Sequence, residues 1–235
     1  REWIKSYMSD DFRERIIQSN PVYAAMIWSV DENIGKVLSK IEELGISDNT
    51  IVIFTSDNGG LATSAGSPTC NSPLRAGKGW MYEGGIRVPL IIKDPAANRQ
   101  GALIDFPVST IDFFPTLAEL AGAEIDTSEI DGVSIVNGYK TGFLQTRPLF
   151  WHYPHYNNQG VEPGSAVRLG NFKLIDNFEQ ERLELYNLEK DLSETNDISA
   201  SEPDKTEELF TLLKEWRKET NAKMMEPNPG WIGFK

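Results

Sequence analysis

The sequence predicts an α/β fold: part of a parallel-sheet domain over residues 1–145, then a small antiparallel sheet with a covering helix over residues 146–235. Three observations predict it. A long amphipathic helical pattern runs directly into a short, wholly apolar β-branched stretch, the signature of an α/β unit. After about residue 140 the pattern changes to short alternating runs separated by turn residues. The composition, 40% hydrophobic and 10% aromatic over 235 residues, is that of a globular chain. A chain of this length buries roughly 70–75% of its unfolded surface and needs no disulfides.

Residues 22–45 form the first element. Met26, Val30, Ile34, Val37, Leu38, Ile41 and Leu44 recur three or four apart, and Gly45 stands at the C-terminal cap. Ile51–Phe54 is then expected to be a strand buried on both faces. It ends abruptly in Ser56, Asp57, Asn58, Gly59 and Gly60, which places polar groups at the carboxyl edge where open α/β sheets bind ligands. Residues 61–85 lack periodicity and read as a long loop. Val88–Ile92 reads as a second buried strand. Ser109–Ala121 reads as a helix starting near Asp112, its expected N-cap, because Pro115 is tolerated only in a first turn. Further on, Gly170-Asn171 is a two-residue hairpin signal between alternating runs. Leu209, Leu212, Leu213 and Trp216 mark the apolar stripe of a closing helix over residues 204–219, started by Ser201 or Asp204 near Pro203.

The charge balance excludes one class of partner. Lys and Arg total 23 against 35 Asp and Glu, a net charge of −12, so a nucleic acid would be repelled. One cysteine excludes a disulfide framework and a Cys-based zinc site. No apolar run approaches the roughly 20 residues that span a bilayer, and no signal peptide is evident. The chain opens Arg1-Glu2-Trp3 without an initiator Met and is expected to be part of something longer.

Five groups of residues are candidates for chemistry. Asp57 and Asn58 are hard oxygen donors suited to Ca²⁺ or Mg²⁺, although the same pair also serves as an Asx turn before Gly59-Gly60. Lys78, between Gly77 and Gly79, is an unobstructed point charge for a sulfuryl or phosphoryl oxygen, or else a solvated loop lysine. It does not stand in a phosphate-binding GxxxxGK[ST] loop. Glu83 and Arg87 read as a buried pair bracing the loop. His152 and His155 serve either as site residues or as hydrogen-bonded packing among aromatics. Cys70 has no histidine at activating spacing and reads as structural or incidental.

Taken together, TIVIFTSDNGG, PLRAGKGWMYEGGIRVP, STIDFFPTLAELAG and AVRLGNFKLI…LELYNLEKDLSETND resemble the second half of a type I, formylglycine-dependent sulfatase of the arylsulfatase family. The resemblance covers nearly the whole chain in order. It implies an alkaline-phosphatase-like fold, with a large α/β domain followed by a four-stranded antiparallel sheet and a helix. It implies that Asp57 and Asn58 are the second pair of ligands to an active-site cation, usually Ca²⁺, with Mg²⁺ less favoured. It assigns Lys78 to the substrate sulfate, and makes His155 a substrate-pocket and catalytic candidate.

In that family a hydrated formylglycine, made from Cys or Ser in a C/S-x-P-x-R motif, attacks sulfur, and a histidine helps the leaving alcohol. That motif, the paired Asp ligands and the main catalytic histidine belong to the first half of such proteins. Cys70 is no substitute, because its proline comes three residues later instead of two. The chain is therefore expected to be a truncated, inactive portion of a sulfatase acting on a sulfated small molecule or glycan. Intact members are expected in the periplasm, the secretory route or the lysosome. The alternatives are a phosphodiesterase or phosphonate hydrolase of the same superfamily, and a non-catalytic fragment binding sulfated glycan through Trp151, Tyr153 and His155. Ile51–Phe54 and Val88–Ile92 are expected to lack sheet neighbours, which favours self-association.

Overall fold

The computed structural model describes residues 14–64, 66–99, 101–226 and 230. Helix α1, Pro21–Glu43, begins where the Asn20 Oδ1 accepts the backbone N–H groups of Val22 and Tyr23 at 3.0 and 3.1 Å, with proline at the first helical position. It ends at Gly45, whose φ of +65° lets the Ile46 N–H reach back to the Ile41 carbonyl. The helix lies where the heptad-like spacing predicts it, but none of its residues is buried, and Met26 and Val37 are each 60% exposed.

Two compact units divide the chain. One comprises residues 30–54 and 90–149. Here β1 (Val52–Thr55) pairs with β2 (Leu90–Lys93) in a two-stranded sheet. The expectation that these runs are buried on both faces is not met, since Phe54 is 39% and Ile91 61% exposed. Among the described residues each of these strands has one hydrogen-bonded neighbour, the other. The core of this unit is Ile135, Val136 and Tyr139 with Leu90, Ile92, Val108 and Leu120 packed on them. Helices α3 (Phe113–Leu120) and α4 (Val136–Thr141) border it.

Asp112 differs from its expected role as a cap for α3. It is fully buried; its Oδ2 accepts the Ser109 N–H at 2.8 Å and pairs with Arg147, and its Oδ1 accepts the Val133 N–H at 2.9 Å. The carboxylate thus caps backward, onto the single 3₁₀ turn Thr110–Asp112, because its own backbone is already helical.

The other unit joins, among the described residues, 14–29, Thr55–Pro89 and 150–226. Its sheet is ordered β3-β4-β5-β6: Leu149–Tyr153, Gly164–Leu169, Phe172–Asn177 and Arg182–Asn187. The β4–β5 and β5–β6 pairs are antiparallel, and Leu169 faces Phe172 across the Gly170-Asn171 turn, with Gly170 at φ +60°. Side chains alternate, so each strand has two faces. Val167, Leu174 and Leu185 point to helix α5 (Pro203–Glu219), where Leu209 and Leu213 are fully buried and Trp216 stacks on Phe150 at 4.7 Å. Ala166, Ile175 and Tyr186 point the other way, onto Ala76, Met81 and Tyr82. The segment read as a long loop is therefore a packed layer on the sheet's second face, closed by the short helix α2 (Glu83–Ile86).

Candidate active site

At the end of β1 the chain turns sharply through Asp57-Asn58-Gly59-Gly60. Ser56 Oγ donates to the Asn58 carbonyl at 3.0 Å, and the Asn58 amide donates to Asp57 Oδ2. Asn58 spends its nitrogen on that bond, so its side-chain oxygen stays an acceptor, while Asp57 is exposed. The turn is held by the Ser56 hydroxyl and the Gly59–Gly85 hydrogen bond and not by the Asx-type contact to a backbone N–H that the dipeptide also allowed, and both side chains carry hard oxygen donors.

This turn is stitched to the loop that bears Lys78. The Gly59 N–H donates to the Gly85 carbonyl at 2.9 Å, and the Lys78 N–H donates to the Gly60 carbonyl at 3.1 Å. Asn71 Nδ2 bridges the Gly60 and Ala76 carbonyls at 2.8 and 2.9 Å. Only glycine allows so close an approach: a Cβ at Gly59 would stand 1.7 Å from the Gly84 oxygen, and one at Gly77 would stand 2.3 Å from the Gly60 oxygen. Lys78 itself is exposed, on a backbone fixed from both sides.

A third segment covers the loop. A Cβ at Gly79 would meet Asn157 Nδ2 at 2.5 Å, and Trp80 Nε1 donates to Thr63 Oγ1 and to the Gln159 carbonyl, both at 3.1 Å. His155 opens this segment; it is exposed and meets Tyr153 edge-on at 5.5 Å. A cavity of about 230 Å³ is lined by Glu14, Thr63, Arg75, Trp80, Tyr82 and Gln159. The two histidines part company here. His152 has both ring nitrogens occupied, by Ser165 Oγ and the Lys223 carbonyl at 2.7 Å each, and packs edge-on to Trp216, so it holds the fold. Cys70 accepts the Ser72 N–H and touches none of the loop contacts described above. Trp151 is partly buried against the core cluster, leaving Tyr153 and His155 as the open members of the aromatic group.

Beneath the loop lies a set of buried charges whose centre the sequence did not reveal. Glu83 and Arg87 do pair, at 3.7 Å, but Arg87 is half exposed and the nearer cation is Lys173, 3.1 Å from Glu83 and itself fully buried. Lys173 also meets Glu194 at 2.8 Å. Burial pushes the Glu194 carboxyl above its ordinary value, against the pull of Lys173. Burial and the neighbouring Glu184 carboxylate also raise the Tyr82 hydroxyl, which donates to Glu184 at 2.8 Å. The available signal was alternation: Arg168, Lys173 and Glu184 each fall in register with residues that face the loop layer.

Two family descriptions match the chain: Sulfatase, over residues 3–123, and N-sulphoglucosamine sulphohydrolase, C-terminal, over residues 76–223. The sequence is 39% identical to a sulfatase of Formosa agariphila over 85% of this chain and 40% of that protein. It is 34% identical to an N-acetylglucosamine-6-O-sulfatase of Bacteroides thetaiotaomicron, over 84% of this chain and 35% of that protein. The chain thus spans well under half the length of the curated relatives it matches. Among solved structures, one in complex with its substrate D-glucosamine-2-N,6-O-disulfate superposes with a TM-score of 0.71 at 31% identity, over 86% of this chain and 40% of the other. Another, Ps i-CgsB bound to a neocarrahexaose, gives a TM-score of 0.74 at 26% identity, over 96% and 49%. These neighbours carry the alkaline-phosphatase-like fold of sulfatases, the fold class expected from the sequence.

Proposed function

The chain belongs to the sulfatase family, and from that premise we propose that it supplies one side of a sulfate-ester hydrolase site: two metal ligands, Asp57 and Asn58, and the sulfate-contacting Lys78. One observation carries this reading. Backbone hydrogen bonds at 2.9 and 3.1 Å join the Asp57-Asn58 turn to the Lys78 loop, which supports the reading that their side chains serve one site. The donor set fits a hard divalent cation, because both side chains offer oxygen. When bound, Ca²⁺ would supply Lewis-acid neutralisation of charge on the sulfuryl oxygens.

Lys78 adds a compact positive charge aimed at the same oxygens, where a preorganised donor acts without reorganisation. His155, exposed at the head of the segment that covers Gly79 and Trp80, is placed in this proposal as a contact to the substrate beyond its sulfate. One neighbouring structure holds D-glucosamine-2-N,6-O-disulfate as its substrate, and a sulfated small molecule or glycan is the substrate class proposed here. No residue of the 235 stands in a C/S-x-P-x-R motif, so the nucleophile is assigned to sequence outside this chain, and the chain alone is proposed not to turn over. The test pairs the chain with an upstream segment carrying that motif and follows sulfate-ester hydrolysis. Asp57→Ala should cost activity by orders of magnitude, with partial restoration by excess Ca²⁺. Unchanged turnover in that variant, or steady metal-dependent turnover by the chain alone, would overturn the proposal.

A further inference from the structure

We propose that Lys173, Glu194 and Glu83 form a buried anchor by which the antiparallel sheet positions the Lys78 loop, making Lys173 and Glu194 positioning residues for the sulfate contact. The inference rests on the reading that Lys78 meets the sulfate. The loop is gripped at both of its ends. At its start, Arg75 donates to the Tyr186 hydroxyl at 3.1 Å and the Glu194 carbonyl at 2.7 Å, and its guanidinium lies 3.8 Å above the Tyr82 ring. At its end, Glu194 Oε2 accepts the Glu83 N–H at 2.7 Å, while Lys173 spans Glu83 and Glu194 at 3.1 and 2.8 Å. Arg168 adds a second cation 3.5 Å from Glu83.

Two features set this cluster apart from ordinary packing. Lys173, Glu83 and Glu194 are all fully buried or within 1% of it, and burying three charges is costly unless their geometry is well satisfied. Glu194 also holds a left-handed backbone, φ +50°, which a side-chain-bearing residue adopts at a cost, and which lets its carboxylate cap the first turn of α2 while its carbonyl accepts Arg75. One strained residue thus ties both ends of the loop to β5. From there the Gly59–Gly85 and Lys78–Gly60 hydrogen bonds pass the constraint to the Asp57-Asn58 turn.

The experiment has two arms. In the chain itself, amide hydrogen exchange is followed at Gly59 and Lys78 for Glu194→Gln, an isosteric change, and for Arg217→Ala, which cuts the unrelated Arg217–Asp176 pair at 2.8 Å on the same sheet. Glu194→Gln should speed exchange at both amides at least tenfold while leaving the β4 and β5 amides protected; Arg217→Ala should not. Equal protection of the loop in both variants, or a uniform loss across the sheet, overturns the anchor. In the second arm, Glu194→Gln is assayed for sulfate-ester turnover in the protein that also carries the nucleophile segment. A drop in kcat of tenfold or more with KM unchanged supports positioning. Faster loop exchange with normal kcat leaves the anchor standing and refutes its link to catalysis. Absence of any sulfatase activity in the unaltered protein refutes the functional reading separately.

Discussion

Lys173→Met is the most demanding test of the energetics beneath the site. The substitution keeps the apolar stem and removes the ammonium, leaving Glu83 and Glu194 buried at 1% and 0% exposure without their nearest cation. Breaking a buried pair from one side costs about 3–5 kcal/mol, roughly 6–20 °C in melting temperature for a chain of this size. The sign of the pH dependence follows from Glu194. Burial already raises its pKa and Lys173 opposes that rise, so the variant raises it further. A carboxyl with a raised folded pKa contributes stability below the unfolded value of about 4.3 and loses it as pH rises through the folded value. The deficit of Lys173→Met should therefore be larger at pH 8 than at pH 5. Urea unfolding monitored by tryptophan emission at both pH values measures it. A deficit under about 1 kcal/mol, or one independent of pH, would refute the reasoning.

Other consequences are simpler to check. Leu209→Ala, at a fully buried position between α5 and the sheet, should cost about 2.7–5 kcal/mol in the same unfolding assay, with Asp57 and Lys78 chemistry untouched in direction. Asp197 is pushed up by burial but held below the ordinary range overall by the backbone N–H groups of Leu185 and Ser199. Its stabilisation is present above pH about 4 and lost as pH falls through the folded value, so Asp197→Asn should flatten the acid limb of a stability–pH curve. The open apolar side chains of α1, β1 and β2, among them Val37, Phe54 and Ile91, should make the isolated chain associate, and light scattering should report a mass above 26.4 kDa.

Much of this architecture was legible from pattern alone. The α1 stripe, the Gly170-Asn171 hairpin and the Leu209/Leu213 stripe are each written in a local period that a helix or strand must satisfy. The Asp57-Asn58 turn was legible because a change from apolar to polar residues marks the end of a strand. What escaped was long-range. Lys173 and Glu184 alternate with apolar residues as a solvent-facing row would, and only the loop folded over that face buries them, Lys173 against Glu83 and Glu184 against Tyr82. Glu194 lies in a polar stretch whose left-handed backbone no local pattern announces. The burial expected on both faces of β1 and β2 failed for a related reason: apolar runs report what a strand can cover, while coverage itself depends on which strands lie beside it.

The central claim is that Lys78 faces the sulfuryl group of a substrate. The most direct measurement is single-turnover hydrolysis of an aryl sulfate by Lys78→Ala, in the protein that joins this chain to its nucleophile segment. Loss of one preorganised electrostatic contact predicts a fall in rate of about 10²–10³. Lys78→Arg should give no rescue, because a planar fork does not replace a point charge between two glycines. Turnover of Lys78→Ala within a few-fold of the unaltered protein would contradict the account and leave Lys78 a solvated loop residue.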